Sequence, residues 1–184
     1  MEKKYKLTDE ILEIGGHVLH RIKALRDFGN VKKGDIGGWI ECEDNLSHDD
    51  DCWVKGNAEV YGNAKVLGNA KVYGYAEVNG YAEVYGNAEV NDNAKVLGNA
   101  EVYGNARVCG KAVIKSKSDY IVFKNWWSSG RYFTWTRSND MWSVGCFYGT
   151  GEELIKKAYA DSEEKGREYE RIVKYVESIK SEIK

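Results

Sequence analysis

The sequence of 184 residues contains no proline, although average usage would supply roughly nine. This absence excludes proline-rich linkers, and we expect a chain that is folded throughout. Lys and Arg (27) nearly balance Asp and Glu (29), so the formal charge of -2 provides no overall positive field for a nucleic acid backbone. Duplex DNA is therefore not expected as a partner.

Cysteines and long apolar runs are also scarce. The four cysteines, at positions 42, 52, 109 and 146, have neither Cys-x-x-Cys spacing nor the density of a secreted disulfide scaffold. No stretch approaches the roughly 20 apolar residues of a membrane span, and the N-terminus has no apolar signal core. We therefore expect a cytoplasmic protein with free thiols and no membrane association.

The sequence does contain a six-residue repeat, Gly-Asn-Ala-x-Val-x, which continues in register from Gly56 to Lys115. Alanine and valine lie two residues apart and share one face of a short strand, while the intervening Glu, Lys or Arg faces water. A helical period of 3.6 residues would scatter the valines around the axis, which excludes an α-helix. Gly-Asn supplies a corner because both residues tolerate the positive φ of a tight turn. Three hexads then close a triangular coil of about 18 residues.

This stretch resembles the left-handed parallel β-helix of hexapeptide-repeat proteins, in which an aliphatic residue is followed four positions later by a small one. Val60-Tyr-Gly-Asn-Ala64 fits that rule. The resemblance implies the left hand, since the usual crossover preference alone favours the right hand. We predict a mainly β fold in three parts: an N-terminal β-hairpin cap (1–45), a left-handed parallel β-helix (46–118) and a small aromatic-rich α+β domain that ends in two helices (119–184).

Every third hexad occupies the same face, which predicts the columns of side chains that stack outside the coils. One corner carries Asn69, Asn87 and Asn105. Their amides are expected to form a structural hydrogen-bonded ladder. The most apolar outer face carries Leu67, Tyr85 and Tyr103. An exposed apolar stripe marks an interface, and the resembling families are mostly trimers with parallel axes, so these three residues are predicted to form a homotrimer interface.

The best-known enzymes of the resembling families, the acyltransferases and the γ-class carbonic anhydrases, need histidine on or beside the coils. All three histidines, His17, His20 and His48, precede the repeats. The segment from His48 to Cys52 contains metal-ligand residue types, but adjacent residues diverge rather than converge, which favours a solvated acidic loop. We predict no catalytic residue, no metal and no cofactor, and a non-catalytic role is favoured.

The segment before the repeats is predicted to be a β-hairpin. Residues 11–14 and 17–22 flank a two-residue glycine turn and are expected to cap the first coil. Residues 34–40 are glycine-rich but lack phosphate-loop and dinucleotide spacing, which indicates a turn into a first irregular coil.

After Ser118 the pattern changes, and ten aromatic residues fall between Tyr120 and Tyr148. Strands are predicted at 119–124, 131–137 and 141–148, the last two joined by a Ser-Asn-Asp turn. Alternation would place Trp142, Val144, Cys146 and Tyr148 together on the third strand. Thr150-Gly-Glu-Glu153 is a capping box that opens a helix, and a second helix has apolar residues at 169, 172, 176, 179 and 183. This helix packs on its own sheet or forms a short coiled coil.

The second strand carries the most suggestive chemistry. Arg131, Trp135 and Arg137 share one face, and Trp142 lies on the partner strand. Flat rings can stack on nucleobases while guanidinium groups hold phosphates, so these four residues are the candidate ligand-binding set. The alternative is that the rings form the core that a small sheet under two helices needs.

The Tyr-Lys-Leu-Thr entry, the Gly-Asp-Ile-Gly-Gly-Trp-Ile segment, the hexads and the Trp-Thr-Arg-Ser-Asn-Asp-Met-Trp tail together resemble uncharacterised proteins of phages and prophages of Gram-positive bacteria. The resemblance implies a viral accessory protein in the host cytoplasm and supplies no catalytic residues. We expect a non-catalytic oligomeric binding protein that inhibits host antiviral defence by sequestering a small nucleotide signal or binding a host protein. Alternatives are an acyltransferase that uses His17 or His20 of a neighbouring subunit, and a structural spacer or virion component.

Overall fold

The computed structural model describes residues 3–183; residues 1, 2 and 184, the outer limits of the predicted first and third parts, lie outside it. The chain forms two compact units, the first ending at Lys117 and the second beginning at Ser118. The first unit is a parallel β-solenoid preceded by a β-hairpin, and the second is an antiparallel sheet with two helices. The predicted mainly β fold is confirmed, and the left hand of the solenoid stays a prediction of the resemblance.

The N-terminal hairpin consists of β1 (Tyr5–Ile14) and β2 (His17–Ala24). Gly15 and Gly16 join the strands at φ of 55° and 88°, which confirms the predicted glycine turn. β2 pairs antiparallel with β3 (Ile36–Ile40), and β3 pairs in parallel with the first regular hexad. The hairpin therefore continues one face of the solenoid and covers a strand edge that would otherwise be unpaired.

The coils are built from two-residue strands, and each strand ends at the hexad position that Val or Ile fills. In chain order β4 to β14 are Trp53–Val54, Glu59–Val60, Lys65–Val66, Lys71–Val72, Glu77–Val78, Glu83–Val84, Glu89–Val90, Lys95–Val96, Glu101–Val102, Arg107–Val108 and Val113–Ile114. Parallel pairing joins residues 18 apart, as in Val60 with Val78. Three hexads thus form one coil, as the repeat predicts.

The interior of the solenoid is a column of valine and alanine. Every valine and isoleucine from Val54 to Ile114 at the sixth position is buried, and so is every alanine from Ala58 to Ala112. Glycines at the corners adopt positive φ, and Asp92 takes the one corner without glycine at φ of 59°. Its carboxylate accepts a hydrogen bond from the Gly110 amide at 3.0 Å.

The solenoid begins earlier than the hexad pattern indicates. Ile40 lies beside Val60 and Leu46 beside Val66, so the first coil is two residues longer than the regular coil of 18. The additional residues lie between Leu46 and Val54, where a loop leaves the triangular path. The predicted irregular first coil is present, but the prediction of a turn over residues 34–40 is wrong for residues 36–40, which form the strand β3 of that coil.

The second unit contains a four-stranded antiparallel sheet of β15 (Tyr120–Lys124), β16 (Tyr132–Thr136), β17 (Met141–Val144) and β18 (Phe147–Gly149), paired in that order. The predicted third strand, 141–148, is wrong as a single element. Gly145 adopts φ of 59° and turns the chain back on itself. Cys146 lies exposed in that turn and does not share a strand face with Trp142 and Val144.

Two helices cover one face of this sheet: α1 (Gly151–Asp161) and α2 (Glu163–Ile179). The capping box is confirmed, since Thr150 Oγ1 accepts from the Glu153 amide at 3.2 Å and the Thr150 amide donates to Glu153 Oε2 at 2.8 Å. Tyr169, Ile172 and Val176 of α2 pack into one core with the sheet. The helix therefore packs on its own sheet, as the first alternative predicts.

Candidate functional site

The four residues predicted to bind a ligand do not form one accessible surface. Trp135 and Trp142 are each only 1% exposed and pair directly across β16 and β17. Both belong to the core beneath the helices. Arg131 and Arg137 are exposed at the two ends of β16. A base could stack on these two indoles only if the core opened, so their burial supports the packing interpretation and gives the ligand prediction no support.

Trp135 is held in place by a polar contact as well as by packing. Its Nε1 donates a 2.7 Å hydrogen bond to Asp140 Oδ1. Lys180 Nζ lies 3.0 Å from the other oxygen of the same carboxylate. Burial opposes ionisation of Asp140, but the bonds from Trp135 and Lys180 outweigh it and hold the pKa of Asp140 below its usual value. This carboxylate ties the β16–β17 turn to the end of α2.

The aromatic side chains that do face solvent lie in the loop between β15 and β16. Trp126 is 77% exposed and Trp127 is 47% exposed, with ring centroids 5.3 Å apart and planes nearly perpendicular. We call residues 125–130 the tryptophan loop. Sequence reasoning missed these two residues because it considered only rings on strands; two adjacent tryptophans inside a Ser- and Gly-containing turn were the available signal.

The tryptophan loop is held by its first residue, Asn125, whose side chain is fully buried. Asn125 Oδ1 accepts hydrogen bonds from the amides of Trp127 at 3.2 Å and Ser128 at 3.1 Å. Its Nδ2 donates to Ser128 Oγ at 2.7 Å and approaches Glu168 Oε2 at 3.5 Å. A second tie joins the Tyr169 hydroxyl to Ser129 Oγ at 3.3 Å. The loop is therefore an ordered Asx turn fixed to α2, and its shape holds both indoles outward.

Basic residues flank the tryptophan loop in the sequence. Lys124 precedes it and Arg131 follows it, and both side chains are exposed. Lys124 Nζ lies 5.6 Å from the centre of the Tyr132 ring. No carboxylate occurs in the sequence between Asp119 and Asp140. The Glu168 carboxylate, buried beneath the loop, is the acidic group in contact with it.

The predicted interface residues form a column on the face of β6, β9 and β12. Tyr85 and Tyr103 stack with centroids 5.3 Å apart and planes 10° apart, and Leu67 occupies the equivalent place one coil earlier. Tyr103 is 45% exposed. The predicted asparagine ladder is present between Asn69 and Asn87, whose amide groups are 3.3 Å apart. The column supplies a continuous apolar surface, and its role as a homotrimer interface stays a prediction.

On the other two faces, outer tyrosines form clamps between coils. The Tyr61 hydroxyl donates to the Glu77 carboxylate, and Asn79 Nδ2 donates to the same hydroxyl at 2.8 Å. Tyr73 repeats the arrangement one face further on. Burial, and then the bond to Glu77, raise the pKa of Tyr61 to about 12. These phenols and carboxylates are engaged in holding neighbouring coils together.

The three histidines each have a partner near the first coil. His17 Nδ1 lies 2.9 Å from Glu41 Oε1, and its ring is tilted toward Tyr61 with centroids 4.9 Å apart. His20 Nδ1 lies 3.2 Å from the Thr8 carbonyl. His48 accepts a hydrogen bond from the Lys4 amide at 3.2 Å and stacks on the Tyr5 ring.

A cleft of about 750 Å³ opens beside the first coil. Its lining combines the acidic residues Glu43, Asp44 and Glu83 with Lys65 and His48. Across residues 3–183, no group of three or more His, Cys, Asp or Glu side chains converges as metal ligands would. In the same range neither helix is long and apolar enough to cross a bilayer.

No protein-family model matches the chain, and no curated protein is significantly similar to it. The β-solenoid is therefore established from the structure itself, and the resemblance to phage proteins belongs to the proposal that follows.

Proposed function

We propose that this protein is a non-catalytic, oligomeric binding protein of phage type, which acts in the bacterial cytoplasm against host antiviral defence by sequestering a nucleotide signal or covering a host protein. The observation that carries the proposal is the tryptophan loop, where hydrogen bonds of the buried Asn125 side chain hold Trp126 and Trp127 in water. Exposed aromatic clusters on ordered supports are typical of recognition surfaces. Tryptophan and arginine are also the residues most enriched among binding hot spots.

The solenoid supports this proposal as a frame. Its polar outer groups, such as Tyr61, Glu77 and Asn79, bind one another across coils. None of the ten hexads carries a histidine that could act as a general base. A rigid frame is useful to a binding protein because little conformational entropy is lost when the ligand binds.

An infection assay tests the proposal. Bacteria that carry a nucleotide-signalling defence system are infected with a sensitive phage, with and without expression of the protein. We expect expression to restore plaque formation, and the double variant Trp126→Ala/Trp127→Ala to lose that effect. The matched control is Tyr75→Ala/Tyr81→Ala, which removes two aromatic side chains that are 67% exposed on the solenoid. Unchanged plaque counts in the presence of the native chain would count against anti-defence activity.

A direct binding assay complements the infection assay. Calorimetry with cyclic nucleotides, and native mass spectrometry of protein purified from infected cells, report a bound signal molecule. If a signal molecule binds through Arg131 and Arg137, which flank β16, Arg131→Ala and Arg137→Ala should each weaken its binding. Unchanged affinity in both variants would remove those two residues from the binding surface.

A hexapeptide-repeat acyltransferase is the second candidate, and one contact favours it. Glu41 holds His17 Nδ1 at 2.9 Å, the arrangement that orients an imidazole so that Nε2 can act as a general base. Coenzyme A at millimolar concentration should then raise the melting temperature, because a ligand of the native state stabilises that state. The binding-protein proposal predicts no such rise in melting temperature. If the protein transfers an acyl group and His17→Asn abolishes that transfer, the acyltransferase hypothesis replaces the binding-protein proposal. The third alternative, a structural spacer or virion component, predicts neither a ligand nor a host partner.

A further inference from the structure

The tryptophan loop has two properties that single-stranded nucleic acid requires of a binding surface. Trp126 and Trp127 present two flat indoles to solvent, and base stacking on such rings tolerates any sequence because every base has a π face. Lys124 and Arg131 flank the rings at the two ends of the loop. A strand crossing this loop would meet a stacking platform and phosphate-binding cations within a few residues.

Charge distinguishes this segment from the rest of the chain. The chain as a whole carries a formal charge of -2, whereas residues 120–139 contain Lys124, Arg131 and Arg137 and no carboxylate. The buried Glu168 carboxylate lies under the loop at Asn125, and exposed Arg167 is its neighbour on α2. The loop therefore combines exposed aromatic rings with the exposed basic residues Lys124 and Arg131 on its two sides, which is the composition of single-strand grooves.

The shape of the loop favours a strand over an isolated nucleotide. Sites for small ligands are ordinarily concave and bury most of the ligand surface. Trp126 stands 77% exposed, and its ring is nearly perpendicular to Trp127, so a mononucleotide would have one face covered and the other in water. A strand gains from several weak contacts at once.

We propose that the tryptophan loop binds single-stranded nucleic acid, with bases stacked on Trp126 and Trp127 and phosphates held by Lys124 and Arg131. The proposal rests on the proposed function in taking the chain to be a binding protein, and it goes beyond that function by adding single-stranded nucleic acid to the nucleotide signal and the host protein named there. A protein partner would also use exposed tryptophans as anchors. Lys124 and Arg131, which flank the loop in a segment without a carboxylate, favour the polyanion.

The test titrates the full-length protein with a short oligothymidylate at low salt and follows tryptophan fluorescence and the anisotropy of the labelled strand. Saturable quenching is expected. Trp126→Ala should weaken binding about ten-fold or more, and Trp126→Tyr should recover most of the affinity because a stacking ring remains. Lys124→Gln and Arg131→Gln should each lower the slope of log affinity against log salt by about 0.7. Tyr81→Ala, which removes an aromatic side chain that is 67% exposed on the solenoid, should have no effect.

Several outcomes would overturn the proposal. One is that the native protein shows no binding to the strand, and another is that Trp126→Ala/Trp127→Ala binds as tightly as the native chain. Equal affinity for a duplex would assign the interaction to charge alone, and equal affinity for thymidine monophosphate would replace the strand with a free nucleotide. Failure here with intact anti-defence activity would leave the proposed function standing. Stabilisation by coenzyme A with acyl transfer would instead remove the proposed function.

Discussion

At the scale of single residues, Lys4 places an ammonium group inside the solenoid unit, where it needs hydrogen-bond partners in place of water. Its side chain is fully buried, and Nζ donates to the carbonyls of Asp49 at 3.1 Å, Asp50 at 3.3 Å and Cys52 at 3.0 Å. Burial lowers the pKa of Lys4, while the nearby Cys52 thiol, 3.2 Å away, acts in the opposite direction. One ammonium group thus closes the loop that lengthens the first coil.

Lys4→Met keeps the aliphatic stem and removes the ammonium group, which leaves three carbonyls of the loop without this donor. We expect the free energy of unfolding to fall by about 3 kcal/mol, since buried polar groups that lose their partner are costly. Urea denaturation measures the change. Lys6→Met, at an exposed position two residues further on in β1, is the control and should stay within about 0.5 kcal/mol of the native chain. Equal effects in the two variants would show that the ammonium contacts contribute little.

Asp140 predicts an acid-sensitive step in the second unit. Its pKa is lower in the folded chain than its usual value, so its contribution is present above the unfolded pKa and is lost as pH falls through the folded pKa. Asp140→Asn removes the charge and still suits the left-handed φ of 51°. Because the carboxylate is half exposed, we expect a loss of about 0.5–1 kcal/mol at neutral pH. Thermal unfolding below about pH 4 should then depend less on pH in the variant than in the native chain. Parallel pH profiles would contradict this assignment.

The same scale shows why some residues were predictable and others were not. Alternation alone separates the buried alanine and valine of each hexad from the exposed residue between them. Alternation also places Trp135 and Trp142 on one face, yet it cannot say whether helices cover that face. The exposure of Trp126 depends on the side-chain hydrogen bonds of Asn125, a contact that strand patterns do not describe.

At the scale of elements, the solenoid corners predict a contrast between two glycines with similar backbone angles. Gly80 has φ of 75°, and a Cβ there would lie 2.9 Å from the Gly98 carbonyl oxygen. Gly98 has φ of 67° with no atom within 4 Å of a Cβ. Gly98→Ala carries only the cost of the left-handed conformation, about 1–2 kcal/mol. Gly80→Ala should cost clearly more, because the coil above must move. Chemical denaturation of the two variants measures the difference, and equal costs would mean that the corners shift freely.

Elements were predictable where each one repeats a local rule. The ten hexads obey one rule, so the strands and their stacking follow from the sequence. The first coil departs from it because two additional residues before Val54 put Ile40 and Leu46 out of the six-residue register. Gly145 similarly divides a segment that reads as one strand, since a single residue at φ of 59° reverses the chain.

At the scale of the whole molecule, the column of Leu67, Tyr85 and Tyr103 predicts the oligomeric state. Light scattering should give three times the mass of the chain. Tyr103→Glu places a charge in this column and should yield monomers, since burying an unpaired charge is costly. Tyr75→Glu, at a corner position that is 67% exposed, should stay trimeric. A native monomer, or a trimer that tolerates Tyr103→Glu, would remove this interface.

Because parallel pairing joins residues 18 apart, the length of the solenoid can change without loss of register only in steps of 18 residues. Deleting 18 consecutive residues from the regular coils would bring Val60 into register with the residue that now follows two coils later, and every column would close again. Deleting six would instead move the exit of the chain to the next side of the triangle. Gene duplication or loss can therefore lengthen or shorten this frame by whole coils without redesigning its core, whereas other length changes must be absorbed in loops such as the one before Val54.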